Sequence, residues 1–519
     1  MPKSVIRKIP IFSQLQHTDK KRRKRGNRTL SIFRKIQEVN KKKIRWLSQN
    51  RLRLDPHRWQ VMGDSQTHPN KGIILSKHTQ ELVGSAKERI NNVLVIGGPG
   101  SGKSWHVVLP NLLQMNGSYI VLDHDGSLFM TTKELFRQSG YRVMLLDFWN
   151  GPEDRQTDSY IGKGIEEYNY NPFRYLRSDA DIDAMIDCMM LNTQKYTSTE
   201  RVVDDSDETI LEKSLLKAFI CYILDHTPKE RKDPATLIAM LRCGRTQKQQ
   251  DLETYEQNIR RFRQENPKDR CALAYAPLLE IPINIRLQIM KLVSYRIGLF
   301  PQSYLSLIMR PGNTDLECFV EQNTILYIFI PSMGSGLEWY VGTFFTQLTD
   351  VLKNRTANRV SEHPDRQLNM ILDSTPDDII IPNFHKTLQA WADIGISSML
   401  CARSFGWLQK VYAETWRAIF HTFDTLVYLG TSDLESLPPD LRQYLLAELK
   451  SRAINEQDCF SYKPQKRGRT FDAELIEVLH YVSLRSDQCF IAIKGQRLAL
   501  DQRYHTKDHP NWKYLHRNV

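Results

Sequence analysis

A four-residue apolar run, VLVI at 93–96, passes directly into Gly-Gly-Pro-Gly-Ser-Gly-Lys-Ser at 97–104 and then into the apolar segment WHVVLPNLLQ. Few eight-residue patterns restrict a fold as strongly, because G-x-x-x-x-G-K-[ST] acquires its chemistry only between a strand and a helix, and both flanks are present. Gly97, Gly100 and Gly102 allow the backbone to turn inward. With Gly98, Pro99 and Ser101 they form a loop whose N–H groups, together with the helix start, surround a phosphate. In this pattern Lys103 neutralises β- and γ-phosphate oxygens and the Ser104 hydroxyl binds a divalent cation, so the expected cofactors are ATP and Mg²⁺.

The rest of the chain supplies a matching sheet. Short β-rich runs recur as SYIVLD at 118, RVMLLD at 142, TILYIFI at 324, LNMILD at 368, ISSMLCA at 396, TLVYLG at 425 and CFIAIKG at 489. Apolar on both faces, they read as buried parallel strands. Helical spacing lies between several of them, as in EWYVGTFFTQLTDVLKNR, where Tyr340, Phe344, Leu348 and Leu352 fall four apart. That alternation predicts an α/β domain with a mainly parallel sheet. Asp373 closes the run MILD, and a carboxylate at the carboxyl end of a neighbouring strand is the natural second ligand for the cation held by Ser104. Asp123 closes SYIVLD on the same rim; either carboxylate is compatible with an ordinary strand end, and Asp373 has the better claim to the cation.

From 178 to 320 the strand-like runs cease. DETILEKSLLKAFICYILDH at 207–226 has the acidic start and apolar spacing of an amphipathic helix, and 247–267 reads as a mostly solvated one. The expected organisation is a basic arm at 1–58, an α/β domain made from 59–177 and 321–519, and an all-α domain inserted at 178–320.

The net charge of +13 is concentrated at one end. Residues 1–58 hold 19 Lys+Arg against 3 Asp+Glu, a net of +16, leaving the other 461 residues near −3. Clustered cations such as KKRRKRGNR at 20–28 suit a phosphate backbone or an anionic lipid surface, and equally a solvated tail. No run approaches the length of about 18 apolar residues that a membrane span requires, and no secretory leader is legible, which places the chain in the cytoplasm. Eight scattered cysteines without paired spacing read as reduced core residues.

With these motifs in hand, the chain resembles the type IV secretion coupling proteins of the TraG type. The matching segments, in order, are GSGKSWHVVLPNLLQMNGSYIVLDHDGSL, YNYNPFRYL at 168–176, FIPSMGSGLEWYVGTFFTQLTDVL, ILDSTPDDIIIPNFHKTL and KGQRLALDQRYHTKDHP. The resemblance implies a RecA-like P-loop core with an inserted helical domain and assembly into a ring. It also implies DNA with bound relaxase and secretion-channel components as partners. Lacking a span of its own, the chain is expected at the inner face of the membrane through a separate anchor subunit.

Several positions depart from the family pattern. Ser374 stands where the family has a glutamate that orients the attacking water, and serine is no general base at neutral pH; Asp377 and Asp378 follow close behind. Ala392 and Ile394 replace the arginines expected after this loop, Arg403 falls at the γ-phosphate-sensing glutamine, and Asp125 stands at a lysine. Loss of a transition-state arginine alone lowers turnover on the order of 10³-fold or more. Three functions are therefore expected to compete: a DNA-pumping ATPase, a nucleotide-binding scaffold that does not hydrolyse, and a generic P-loop motor. The YNPF and HP segments count against the last.

Overall fold

The computed structural model describes residues 72–81, 92–147, 164–193, 207–246, 249–297, 316–329, 337–358, 367–373, 379–430, 487–493 and 499–515. These fall within one unit, Val61–Ile476 with Ser483–Val519. The basic arm, Ser374, Asp377 and Asp378 lie outside the described residues.

A small hairpin, β1 (Ile73–Ile74) and β2 (Gln80–Glu81), precedes the strand β3 (Val93–Ile96) and the helix α1 (104–113). Then come β4 (Ser118–Asp123), α2 (Ser127–Gln138), β5 (Arg142–Asp147) and the short β6 (Glu166–Glu167). Six long helices follow: α3 (Asp179–Thr193), α4 (Asp207–His226), α5 (Pro234–Thr246), α6 (Gln249–Glu265), α7 (Arg270–Leu279) and α8 (Ile283–Ile297). The chain returns to the sheet through α9 (Cys318–Glu321), β7 (Thr324–Phe329), α10 (Glu338–Asn358), β8 (Leu368–Asp373), α11 (Phe384–Asp393) and β9 (Ser397–Ala402). It ends with α12 (Phe405–Tyr412), α13 (Trp416–Thr422), β10 (Thr425–Tyr428), β11 (Gln488–Ile493), β12 (Ala499–Gln502) and α14 (Trp512–Leu515).

Ten strands form one sheet in the order β12-β11-β10-β3-β9-β8-β4-β7-β5-β6. Pairing is parallel from β10 through β6, as the two-faced apolar runs lead one to expect. All residues of β3, β4, β7, β8 and β9 are buried, with helices covering the sheet. One strand departs from expectation. CFIAI at 489 is antiparallel to β10, and β12, which its sequence does not announce, is antiparallel to β11. Direction is set by connection rather than composition, so an apolar run at a sheet edge reads the same either way.

Among the described residues no strand lies between β6 and β7, and the span is helical. Its junction with the sheet is built by YNPF. The Asn171 carboxamide accepts the Phe173 N–H at 3.0 Å and donates to Lys232 O at 2.8 Å, Tyr170 donates to Gln347 Oε1, and Tyr340 of α10 donates to Tyr170 O. Helix α6 is mostly solvated, as its sequence suggests, apart from one buried stripe of Leu252, Glu256, Ile259 and Phe262. Glu256 is tolerated there because Arg286 Nε lies 2.8 Å away and Tyr275 donates to it at 3.0 Å. In α10, Tyr340, Phe344, Leu348 and Leu352 are all buried. The six cysteines described at 188, 221, 271, 318, 401 and 489 are free and buried. Among the described residues, no helix is long and apolar enough to cross a membrane.

Candidate functional site

The loop 97–104 sits at the carboxyl end of β3, where parallel strands deliver their ends to one rim. Gly98 N–H donates to Gly430 O at 2.9 Å and Gly97 N–H to Ala402 O at 3.1 Å, which pins the loop between the ends of β10 and β9. Glycine is required by space at two points. A Cβ on Gly97 would lie 2.3 Å from Ser101 Oγ, and one on Gly102 would lie 2.5 Å from the His106 ring while φ stands at +79°. The first turn of α1, Ser104–Val108, is wound as a π turn, with the Leu109 N–H reaching back to Ser104 O.

Within the loop the Lys103 side chain is folded inward and 7% exposed. Its Nζ donates to Gly97 O at 2.7 Å and Gly98 O at 3.4 Å. The ammonium is thus held by the loop's own carbonyl oxygens, a short swing from the concave face. Ser104 Oγ donates to Asp373 Oδ2 at 2.5 Å across 269 positions of sequence. The two residues singled out as cation ligands are therefore in direct contact.

Asp373 is not on the strand next to the loop strand. β9 intervenes, and Asp373 pairs in register with Cys401, whose thiol also meets the carboxylate. Burial holds Asp373 above the ordinary carboxylate range, opposed by the Ser104 hydroxyl and the Lys103 charge. Burial likewise pushes the Cys401 thiol well above its usual value.

Asp123 stands level with Asp373 on β4 but is otherwise engaged. Its Oδ2 accepts the Phe129 N–H at 2.8 Å, so it caps the start of α2. Burial pushes it up to about 7. Asp125 accepts the Ser127 N–H at 3.0 Å in the same turn. Arg403 is the residue after Ala402, whose carbonyl holds Gly97, so the chain places it beside the loop at the end of the intervening strand. Ala392 lies in the last turn of α11 and Ile394 just past it.

Hydroxyl and carboxylate oxygens at contact distance suit a hard cation such as Mg²⁺. Two such ligands leave the remaining positions to phosphate oxygens and water. Among the described residues no cluster of three or more His, Cys, Asp and Glu is placed to hold a metal by itself.

What braces the loop is not legible in the loop's own residues. Arg503 Nη1 donates to Ser101 O at 2.7 Å, Nη2 to Leu429 O at 2.8 Å and Nε to Gln488 O at 2.8 Å. His106 Nδ1 lies 2.9 Å from Tyr504 O, and the Thr506 hydroxyl donates to Trp105 O. Asn511 donates to Leu113 O at 2.7 Å, closing a strap over α1. Only the RYHTKDHP segment pointed here, and it assigned no roles.

Residues 57–269 match the family of type IV secretory system proteins of conjugative DNA transfer. No curated protein matches the sequence. Among solved structures, the bacterial conjugative coupling protein TrwBdeltaN70 in its unbound monoclinic form aligns over 81% of this chain and 86% of its own, at 14% identity and a TM-score of 0.51. Its trigonal form in complex with sulphate aligns over 79% and 85%, at 14% identity and a TM-score of 0.52. The plasmid coupling protein TrwB in complex with ADP and Mg²⁺ aligns over 80% and 85%, at 14% identity and a TM-score of 0.51. At this identity the likeness is one of fold, and the fold is the RecA-like P-loop architecture. Over residues 57–269 the chain is thus similar to the conjugative DNA transfer proteins of type IV secretory systems, in keeping with its resemblance to the TraG-type coupling proteins.

Proposed function

We propose that this protein binds ATP with Mg²⁺ at the loop 97–104 and acts as a coupling protein that brings DNA with its bound relaxase to a type IV secretion channel. The observation that carries the reading is the 2.5 Å contact of Ser104 with Asp373 beside an inward-folded Lys103. A hydroxyl and a carboxylate already in contact need only part slightly to admit a cation between them. Gly97, Gly98, Pro99, Gly100, Ser101 and Gly102 supply the phosphate cradle, Lys103 the charge, and Ser104 with Asp373 the cation ligands. The solved TrwB complex with ADP and Mg²⁺, a protein of the same fold, supports this choice of ligands. Arg403 is proposed to face the γ-phosphate from the end of β9. The helical stretch 178–320 is proposed as an inserted domain and 1–58 as a basic arm that meets DNA or lipid. A ring of identical subunits at the inner face of the membrane, held by a separate anchor, completes the proposal.

The test is calorimetric titration of the full chain with ATP and Mg²⁺, together with phosphate release with and without DNA. Binding that Lys103→Ala abolishes supports the reading; no heat of association at millimolar ATP overturns it.

A second reading is favoured by Ser374: a scaffold that binds ATP without hydrolysing it. A positioned general base contributes about 10²–10⁴-fold to rate. Ser374→Glu should therefore leave ATP affinity similar and raise phosphate release by about 100-fold. Rapid turnover by the native chain rules the scaffold out.

A further inference from the structure

Arg503 is separated from the loop by 402 positions of sequence, yet its guanidinium donates from all three nitrogens to main-chain carbonyls of three different segments. Leu429 O follows directly on β10, Gln488 O opens β11, and Ser101 O belongs to the loop itself. The first two fix the guanidinium plane, because a planar fork held at two points leaves its third donor no freedom. The third point then fixes the loop.

A trans peptide carries its C=O and the following N–H on opposite sides. With Ser101 O drawn toward Arg503, the Gly102 N–H is turned away from β10 and β11, toward the open side of the loop. Gly102 accepts this orientation because it sits at φ +79°, in the left-handed region. The partners of Arg503 are neutral carbonyls, and among the described residues no carboxylate forms an ion pair with it behind the loop. Burial disfavours the guanidinium charge and lowers the Arg503 pKa, with Cys489 and Asp487 acting the other way. An arriving polyanion reverses the penalty.

We infer that Arg503 is a positioning residue for the anion site: it fixes the Ser101–Gly102 peptide so that the Gly102 N–H faces the bound phosphate, and it adds positive potential behind the loop. The inference rests on the nucleotide-binding reading above and names a contributor on the far side of the loop that the motif does not contain.

The experiment measures the dissociation constant for ADP with Mg²⁺ on the full chain, native and as Arg503→Lys and Arg503→Ala, alongside the unfolding midpoint of each without nucleotide. Hydrogen bonds from a charged donor are worth enough that Arg503→Ala should bind about 10–100-fold more weakly. Arg503→Lys, which keeps the charge and loses the fork, should fall between. Millimolar guanidinium, but not methylammonium, should restore part of the affinity of Arg503→Ala and leave the native protein unchanged. A purely architectural arginine predicts otherwise: affinity lost only in proportion to the folded fraction, with guanidinium without effect. That result, or binding by Arg503→Ala within about twofold of native, overturns the inference. If the native chain itself binds no ADP, the nucleotide reading fails first and this inference falls with it.

Discussion

The phosphate loop and the strap that braces it are built on opposite principles. Residues 97–104 carry their chemistry in eight consecutive positions, with a close approach at Gly97 and Gly102, a left-handed backbone at Gly100 and Gly102, a lysine that folds back on the loop and a hydroxyl at the helix start. The strap, 499–515, carries none of that chemistry. Arg503, His106 with Tyr504, and Thr506 with Trp105 hold the loop and α1 through main-chain atoms, which any residues can offer. On the proposed reading, motif residues determine what the site binds, whereas the strap determines how firmly the binding geometry exists before a ligand arrives. Preorganisation of this kind raises affinity by removing an ordering cost.

The two regions should separate under mutation. Lys103→Ala removes the charge proposed to meet the phosphates and should weaken ATP binding by about 100-fold or more, with the unfolding midpoint nearly unchanged. Calorimetry beside thermal melts reads both quantities. The strap should give the inverse pattern at Asp501. Its carboxylate accepts from Ser76 Oγ, His78 N–H and Thr79 Oγ1, and lies 2.7 Å from His78 Nδ1, tying the β1–β2 hairpin to β12. Asp501→Ala strands these donors and should cost about 2 kcal/mol of stability with little change in nucleotide affinity. Burial works to raise the Asp501 pKa, but the bonds from Ser76, His78 and Gln502 hold it below the usual value. Its contribution is therefore present above pH 3.8 and should be lost as pH falls through the folded pKa.

Gly102→Ala stands between the two regions, because the added methyl meets His106, which is itself held by the strap. A left-handed alanine costs about 1–2 kcal/mol before any clash. ATP affinity should fall by about tenfold, and His106→Ala in the same chain should recover part of it. No recovery would mean that the backbone alone, not the strap, limits the loop.

Legibility in the sequence follows the same division. Strands that are apolar on both faces announced themselves, and the helical stretch between β6 and β7 was visible as the place where such runs stop. Asp373 could be paired with Ser104 because a strand-end carboxylate is a local feature. That β9, itself legible as a strand, intervenes between β3 and β8 could not be read, since strand order is decided by crossover connections and not by composition. The same reason hid the antiparallel direction of β11. Arg503 was unreadable for a deeper cause: its partners are carbonyl oxygens, which leave no trace in the identity of residues 101, 429 or 488. The buried stripe of α6 was hidden by Glu256, a charged residue whose partners Arg286 and Tyr275 come from two other helices.

One pair of substitutions best distinguishes the two carboxylates on the rim. Asp123 and Asp373 stand level on adjacent strands, but Asp123 caps α2 whereas Asp373 meets Ser104. Burial raises Asp123 to about 7 from a usual 3.8, so between these values the folded chain binds a proton that the unfolded chain has released. Stability from this group is fully present below pH 3.8 and declines as pH rises toward about 7, after which the slope vanishes. Asp123→Asn keeps an oxygen for the Phe129 N–H and cannot ionise. It should flatten that decline in denaturant melts taken across the window while leaving affinity for ATP near native at pH 8. Asp373→Asn, by contrast, should lose Mg²⁺-dependent ATP affinity throughout. If Asp123→Asn instead weakens Mg²⁺-dependent binding as much as Asp373→Asn does, the helix cap is a cation ligand as well, and the rim holds two functional carboxylates.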